Sequence, residues 1–171
     1  ASGAVDQSAL ESFMGAEQGM MDGFNGDATS GSAMQAAVLD VEKGDKITFD
    51  YIFSTKDYGP YNDFAMVRIG DDNIKLADVA SVGNGGNSGG WQTFTYEVKT
   101  SGKLNFAVSN LLDDWVESTL MVDNVHIVKD NAIDLASGET TDLEVNVQQK
   151  DRDGSEYLSI HISGIDGKMS L

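Results

Sequence analysis

Short runs of alternating apolar and polar residues recur along the chain, each closed by Gly, Asn or Asp, and this period of two predicts β-strands. The runs place strands at 33–41, 46–54, 63–69, 73–79, 91–98, 102–109 and 118–128, with two more at 142–149 and 157–163. A helical period is nearly absent. The one exception is SALESFM at 8–14, where Ser8 stands in an N-cap position, although seven residues do not hold a helix by themselves. Nine short strands joined by turns in a chain with 19 glycines and one proline predict an all-β, jelly-roll-like β-sandwich. Phe49, Tyr51, Phe53, Phe94, Tyr96 and Phe106 fall on strand positions and are expected in its core. Trp91 opens a strand and alternates with Thr93 and Thr95, so it too is expected to pack inward. His126 and His161 stand within strands, far apart in sequence, as filling or surface residues.

The pattern changes after Val128. Residues 129–141 are a polar connector, and DLEVNVQQKDRDGSEYLSIHISGIDGKMSL beyond it carries two strand patterns around an acidic loop. This divides the chain into a β-sandwich at 1–130 and a linker with a small C-terminal β appendage at 131–171. Thirty residues are few for an independent core. The segment SVGNGGNSGG at 81–90 is expected to cross between sheets or to rim a site. No Gly-Lys-Ser/Thr and no helix follow it, which removes a phosphate cradle.

Charge narrows the partners. The formal net charge is −17, which repels nucleic-acid backbones and anionic headgroups. Nucleic acid is therefore excluded as an expected partner. No apolar run approaches the length of a membrane span, so no membrane insertion is expected, and ASGAVDQSAL has no basic segment followed by an apolar one. Like charge at this density weakens a compact state, and bound divalent cations relieve it; a merely soluble acidic surface is the alternative. With no cysteine in the chain, disulfides, thiolate metal sites and cysteine nucleophiles are out of consideration.

Candidate chemistry lies in two loops. FDYIFSTKDYGPYNDFAMVRI sets Asp57, Tyr58, Tyr61, Asn62 and Asp63 between two strands. Carboxylate and amide oxygens suit Ca2+, and flat rings suit the apolar face of a sugar; an ordinary Asx turn accounts for the same Asn-Asp pair. SNLLDDWVES supplies a second acidic loop with Asn110, Asp113, Asp114 and Trp115. Its adjacent carboxylates either face solvent or share a cation. Asp123 and Asn124 interrupt the apolar run LMVDNVHIV, so one of them is expected to face inward, where an aspartate needs a partner; a strand-end turn is the alternative. The one GxSxG match, GNSGG at 86–90, lies in the glycine-rich segment with no helix after it and so makes no nucleophile elbow, and in a chain this rich in carboxylates a glycosidase pair carries no signal. An enzyme is not expected.

The stretch GSAMQAAVLDVEKGDKITFDYIFSTKDYGPYNDFAMVRI, followed by SGGWQTFTYEV and STLMVDNVHI, resembles the lectin-like ligand-binding β-sandwich modules of bacterial RTX adhesins. The resemblance covers about 15–128, and its specific parts are YNDFA, GWQTF and LMVDNV. VNVQQKDRDGSEYLSIHISGI looks like the opening of a cadherin-like or immunoglobulin-like repeat. The resemblance implies a secreted, extracellular protein of the bacterial cell surface, active in cell adhesion and biofilm, with neighbouring domains in the same long chain. It implies a calcium-dependent carbohydrate-binding module for a cell-surface glycan. Asp57, Asn62, Asp63, Asp113 and Asp114 would hold Ca2+, and Tyr58, Tyr61 or Trp115 would cover the sugar. It also implies a separate structural calcium between Glu17 and Asp123. A calcium-rigidified spacer and a peptide-binding adhesin module are the alternative functions.

Overall fold

A computed structural model describes residues 4–130, the side chains of 37–39 excepted. The expected appendage at 131–171, with His161, lies outside the described residues. Two antiparallel sheets face each other. The larger is built from β1 (Val5–Asp6), β2 (Ala28–Val41), β7 (Gly102–Leu111), β4 (Phe64–Ile69) and β5 (Asp72–Asp78), in the order β1-β2-β7-β4-β5. The smaller joins β6 (Gln92–Glu97), β3 (Lys46–Thr55) and β8 (Ser118–Val128), in the order β6-β3-β8. Two early strands thus pair with the last two, β2 with β7 and β3 with β8, in different sheets. This wrapped pairing is the jelly-roll-like sandwich that the alternation predicts.

Between the sheets lies a core of Val41, Ile47, Phe49, Val67, Ile69, Val98, Leu104 and Phe106. Phe49 meets Phe106 edge to face at 5.0 Å, an arrangement in which ring quadrupoles attract, and lies tilted against Phe94 at 4.9 Å. A second core fills the other face of the larger sheet. There α1 (Gln7–Phe13) and α2 (Asp22–Asn25) bring Leu10, Met14 and Met21 onto Phe64, Met66 and Ala107. Strand β4 therefore has a core on each side, which is why all six of its residues are buried.

Packing rather than capping holds α1. Its N-cap is Asp6, whose side chain makes no capping bond, and Ser8, the expected cap, lies inside the helix. The fixing interaction is Glu11, buried, whose carboxylate accepts the backbone N–H groups of Gly19 at 2.8 Å and Met21 at 2.9 Å. It turns the chain from α1 back toward the sheet. At the other end of the molecule, buried Asp45 accepts the N–H groups of Glu42 and Asp130 and the Lys129 ammonium at 2.9 Å. Burial alone would raise the Asp45 pKa, but these donors outweigh it and hold the carboxyl below its ordinary range.

Replacing Glu11 by Ala leaves the buried Met21 N–H without an acceptor and turns the Gly19 N–H over to solvent, so stability is expected to fall by about 1–3 kcal/mol. Urea unfolding followed by circular dichroism reads this as a lower midpoint at unchanged slope.

Candidate functional site

Two loops cross between the sheets at the same end of the sandwich. One, 56–63, leaves β3 for β4; the other, 112–117, leaves β7 for β8. Because β3 neighbours β8 and β4 neighbours β7, Thr55 faces Ser118 and Phe64 faces Ser109 across the ladders. The loops are thereby set side by side. The first is shaped locally: the Asp57 N–H donates to Thr55 Oγ1 at 2.9 Å, the Tyr58 N–H to Asp57 Oδ1 at 2.9 Å and the Tyr61 N–H to the Tyr58 carbonyl, around a cis Gly59–Pro60 peptide.

The glycine-rich segment forms its backing. After the short helix α3 (Val79–Val82), Gly85 donates its N–H to the Asp57 carbonyl at 2.8 Å, and the Asn84 side chain accepts the Gly59 N–H at 3.3 Å. Gly85 takes a positive φ of 61°, which glycine adopts without steric cost. As the sequence predicts, this segment crosses from one sheet to the other, and it supports the 56–63 loop from behind.

The hollow between the loops measures about 450 Å³ and is lined by Asp57, Tyr58, Tyr61, Asp113, Trp115 and Val116. Tyr58 and Tyr61 meet edge to face at 5.8 Å. Tyr58 is 54% exposed and Trp115 86%, so two flat rings stand in solvent above acidic groups. Asp57 is buried, and its Oδ2 has no hydrogen-bond partner. Burial raises the Asp57 pKa, and the charge of Asp113 raises it further. A buried carboxylate oxygen left without a donor is costly.

Asp63 lies behind the hollow, with no solvent exposure. Its Oδ1 accepts the Leu111 N–H at 2.9 Å, and its Oδ2 accepts the Ser118 hydroxyl at 2.7 Å. Those two residues are the last of β7 and the first of β8, so one carboxylate clasps both ends of the Trp115 loop. Ser118 also bonds Thr55 Oγ1 at 2.8 Å, which links Asp63 to the acceptor of the Asp57 amide. Burial, together with the charges of Asp57 and Asp113, pushes the Asp63 pKa up to about 6 against these hydrogen bonds.

Other expected site residues are placed differently. Asn62 is committed to α3: its Oδ1 accepts the Ala80 N–H at 2.8 Å and its amide donates to Asp78. Asn110 is buried and donates to Ser30 Oγ. Asp114 is exposed, beside Asp113 but not in the lining. The expected Glu17–Asp123 pair does not form. Glu17 lines a different hollow with Arg68 and Asp71, against the larger sheet. Asp123 is exposed on the outer side of the smaller one, where its carboxylate accepts the Asn124 N–H. Neither Asp123 nor Asn124 faces inward, because a bulge opposite Phe49 resets the alternation: Asp50 pairs with Asp123, but Thr48 pairs with His126. Trp91, expected in the core, is 52% exposed, since it precedes β6 at the edge of the sheet.

Sequence reasoning missed Ser118, Thr55 and the Leu111 amide, which become visible only once the strand register is known. Among the described residues, no three acidic, histidine or cysteine side chains stand in metal-coordinating geometry. Among the described residues, no helix is long and apolar enough to cross a membrane. Comparison of the chain with protein-family models and with curated proteins finds no match.

The raised Asp63 pKa fixes the sign of a pH effect. The folded carboxyl binds its proton more tightly than the unfolded one, whose value is 3.8, so its contribution to stability is full below that value and is lost as pH rises through about 6. Without added cation, the unfolding free energy is expected to fall by on the order of 2 kcal/mol between pH 4.5 and pH 7 on this account. Asp63→Asn keeps an acceptor for Leu111 and a partner for Ser118, and should flatten that part of the profile in parallel denaturant titrations.

Proposed function

We propose that this chain is a calcium-dependent carbohydrate-binding module of a bacterial cell-surface adhesin, with the hollow between the two crossing loops as its site. The observation that carries the reading is the unpartnered, buried Oδ2 of Asp57 beneath exposed aromatic rings. Asp57 and Asp113 would hold the ion; Asn62 and Asn110 are already bound elsewhere and drop out of the set. Calcium takes six to eight oxygens and accepts backbone carbonyls and water readily, so two carboxylates with such ligands suffice. Asp63 would act from behind by fixing the loop that carries Asp113.

The bound ion would supply adjacent coordination positions for a pair of sugar hydroxyls. Tyr58 and Trp115 would cover the apolar face of the ring, a contact that suits C–H groups and excludes water. The resemblance to adhesin modules supports carbohydrate as the ligand class and an extracellular setting. Nothing in this mechanism requires bond making or breaking, and the reading assigns no catalytic residue.

A broad glycan array probed with millimolar calcium and again with excess chelator tests the proposal. Chelator-sensitive binding to sugars that share one diol geometry is expected; silence in both conditions overturns it. Asp57→Ala should abolish calcium binding in calorimetry together with sugar binding. Trp115→Ala should weaken sugar binding about tenfold, the size of a lost aromatic contact, and leave the calcium isotherm unchanged.

A further inference from the structure

The two sheets differ in width. On one side they are joined by hydrogen bonds to β5: Tyr51 of β3 donates to the Leu76 carbonyl, and Tyr96 of β6 to the Asp72 carboxylate. At the other side β8 lies along β7, and β2 continues past it. The resulting step is lined by Ser32, Met34, Phe106, Val108, Leu120 and Val122 and encloses about 180 Å³. Met34 on its floor is 55% exposed. Leu120 and Val122 are only half-buried, although their strand positions face inward. Among the described residues, β8 is hydrogen-bonded on one side alone, by β3. An unpaired strand edge above an apolar floor is the geometry of strand addition, in which main-chain bonds give affinity and alternate side chains fill the floor.

We propose that this step docks one extended segment of a partner protein, lying along the free edge at 118–122 and alternating apolar with basic residues. The apolar positions would cover Met34, Leu120 and Val122. The basic positions answer the charge of −17 and the exposed Glu117 and Asp123 that flank this edge. The bulge next to Asn124, whose φ is 52°, ends the regular edge and limits the segment to about five residues, near the usual strand length. A second copy fits poorly. Asp123 is the middle residue of β8 (Ser118–Val128), so a two-fold antiparallel pairing over the whole strand would set Asp123 against its own copy and join two strongly acidic chains.

The probe is fluorescein-labelled acetyl-(Lys-Val)₃-amide, with its Glu-for-Lys counterpart as control, added in excess chelator so that calcium-dependent sugar binding plays no part. Anisotropy is expected to show the basic peptide binding at least tenfold tighter than the acidic one. Amide exchange should slow at 118–122. Met34→Glu, on the exposed floor, should weaken the peptide at least tenfold with an unchanged Tm. Absence of binding, equal binding of both peptides or indifference to Met34→Glu overturns the proposal. So does a dimer in sedimentation that Met34→Glu dissociates, since that gives the step to a second copy.

Discussion

A single buried carboxylate organises one end of the β-sandwich. Asp63 has no contact with solvent, yet it reaches the last residue of β7, the first residue of β8 and, through Ser118, the end of β3. Its backbone carbonyl also accepts the Val79 N–H at the start of α3. Four separate elements are held by one residue. Burying a carboxylate is expensive, and its raised pKa registers that cost. The hydrogen bonds return part of it, and the order imposed on both loops depends on them.

The acidic residues divide into two kinds. Glu11, Asp45 and Asp78 are buried but well supplied with donors, and each closes a turn or fixes the end of a strand: Asp78 caps α3 through the Ser81 N–H and takes the Lys75 ammonium at 2.6 Å. These are structural knots. Asp57 differs, because one of its oxygens is buried without any donor. The contrast sets that position apart: the fold that satisfies these carboxylates leaves this one incomplete, in the lining of a hollow with aromatic walls.

Much of the scaffold was legible in the sequence because period-two alternation is a local signal. Seven expected strands appear within a few residues of their places, β2 being longer at its start and β7 at its end. The site was legible in part. Tyr58, Tyr61 and Trp115 could be separated from core aromatics because polar residues surround them, and with Asp57 and Asp113 they do line one hollow. The roles of Asp63 and Asp123 were not legible. Adjacent residues such as Asn62 and Asp63 look alike as loop oxygens, and only the ladder register decides which turns toward α3 and which enters the interior. At Asp123 the alternation itself misleads, because a bulge adds a residue that no local pattern announces. Trp91 shows the same limit from another side: strand position says nothing about whether a strand lies at an edge.

The clasp at Asp63 has an implication for how such a domain can diversify. Since Leu111 and Ser118 are both fixed from inside by one residue of another loop, the six positions between them form a cassette whose anchorage is independent of its contents. Sequence drift at 112–117 would alter shape, aromatic character and charge at the rim of the hollow while the attachment stays in place. On the proposed reading, recognition would be separable from folding, and new specificities would be reachable by exchanging a short insert rather than by remodelling the sandwich.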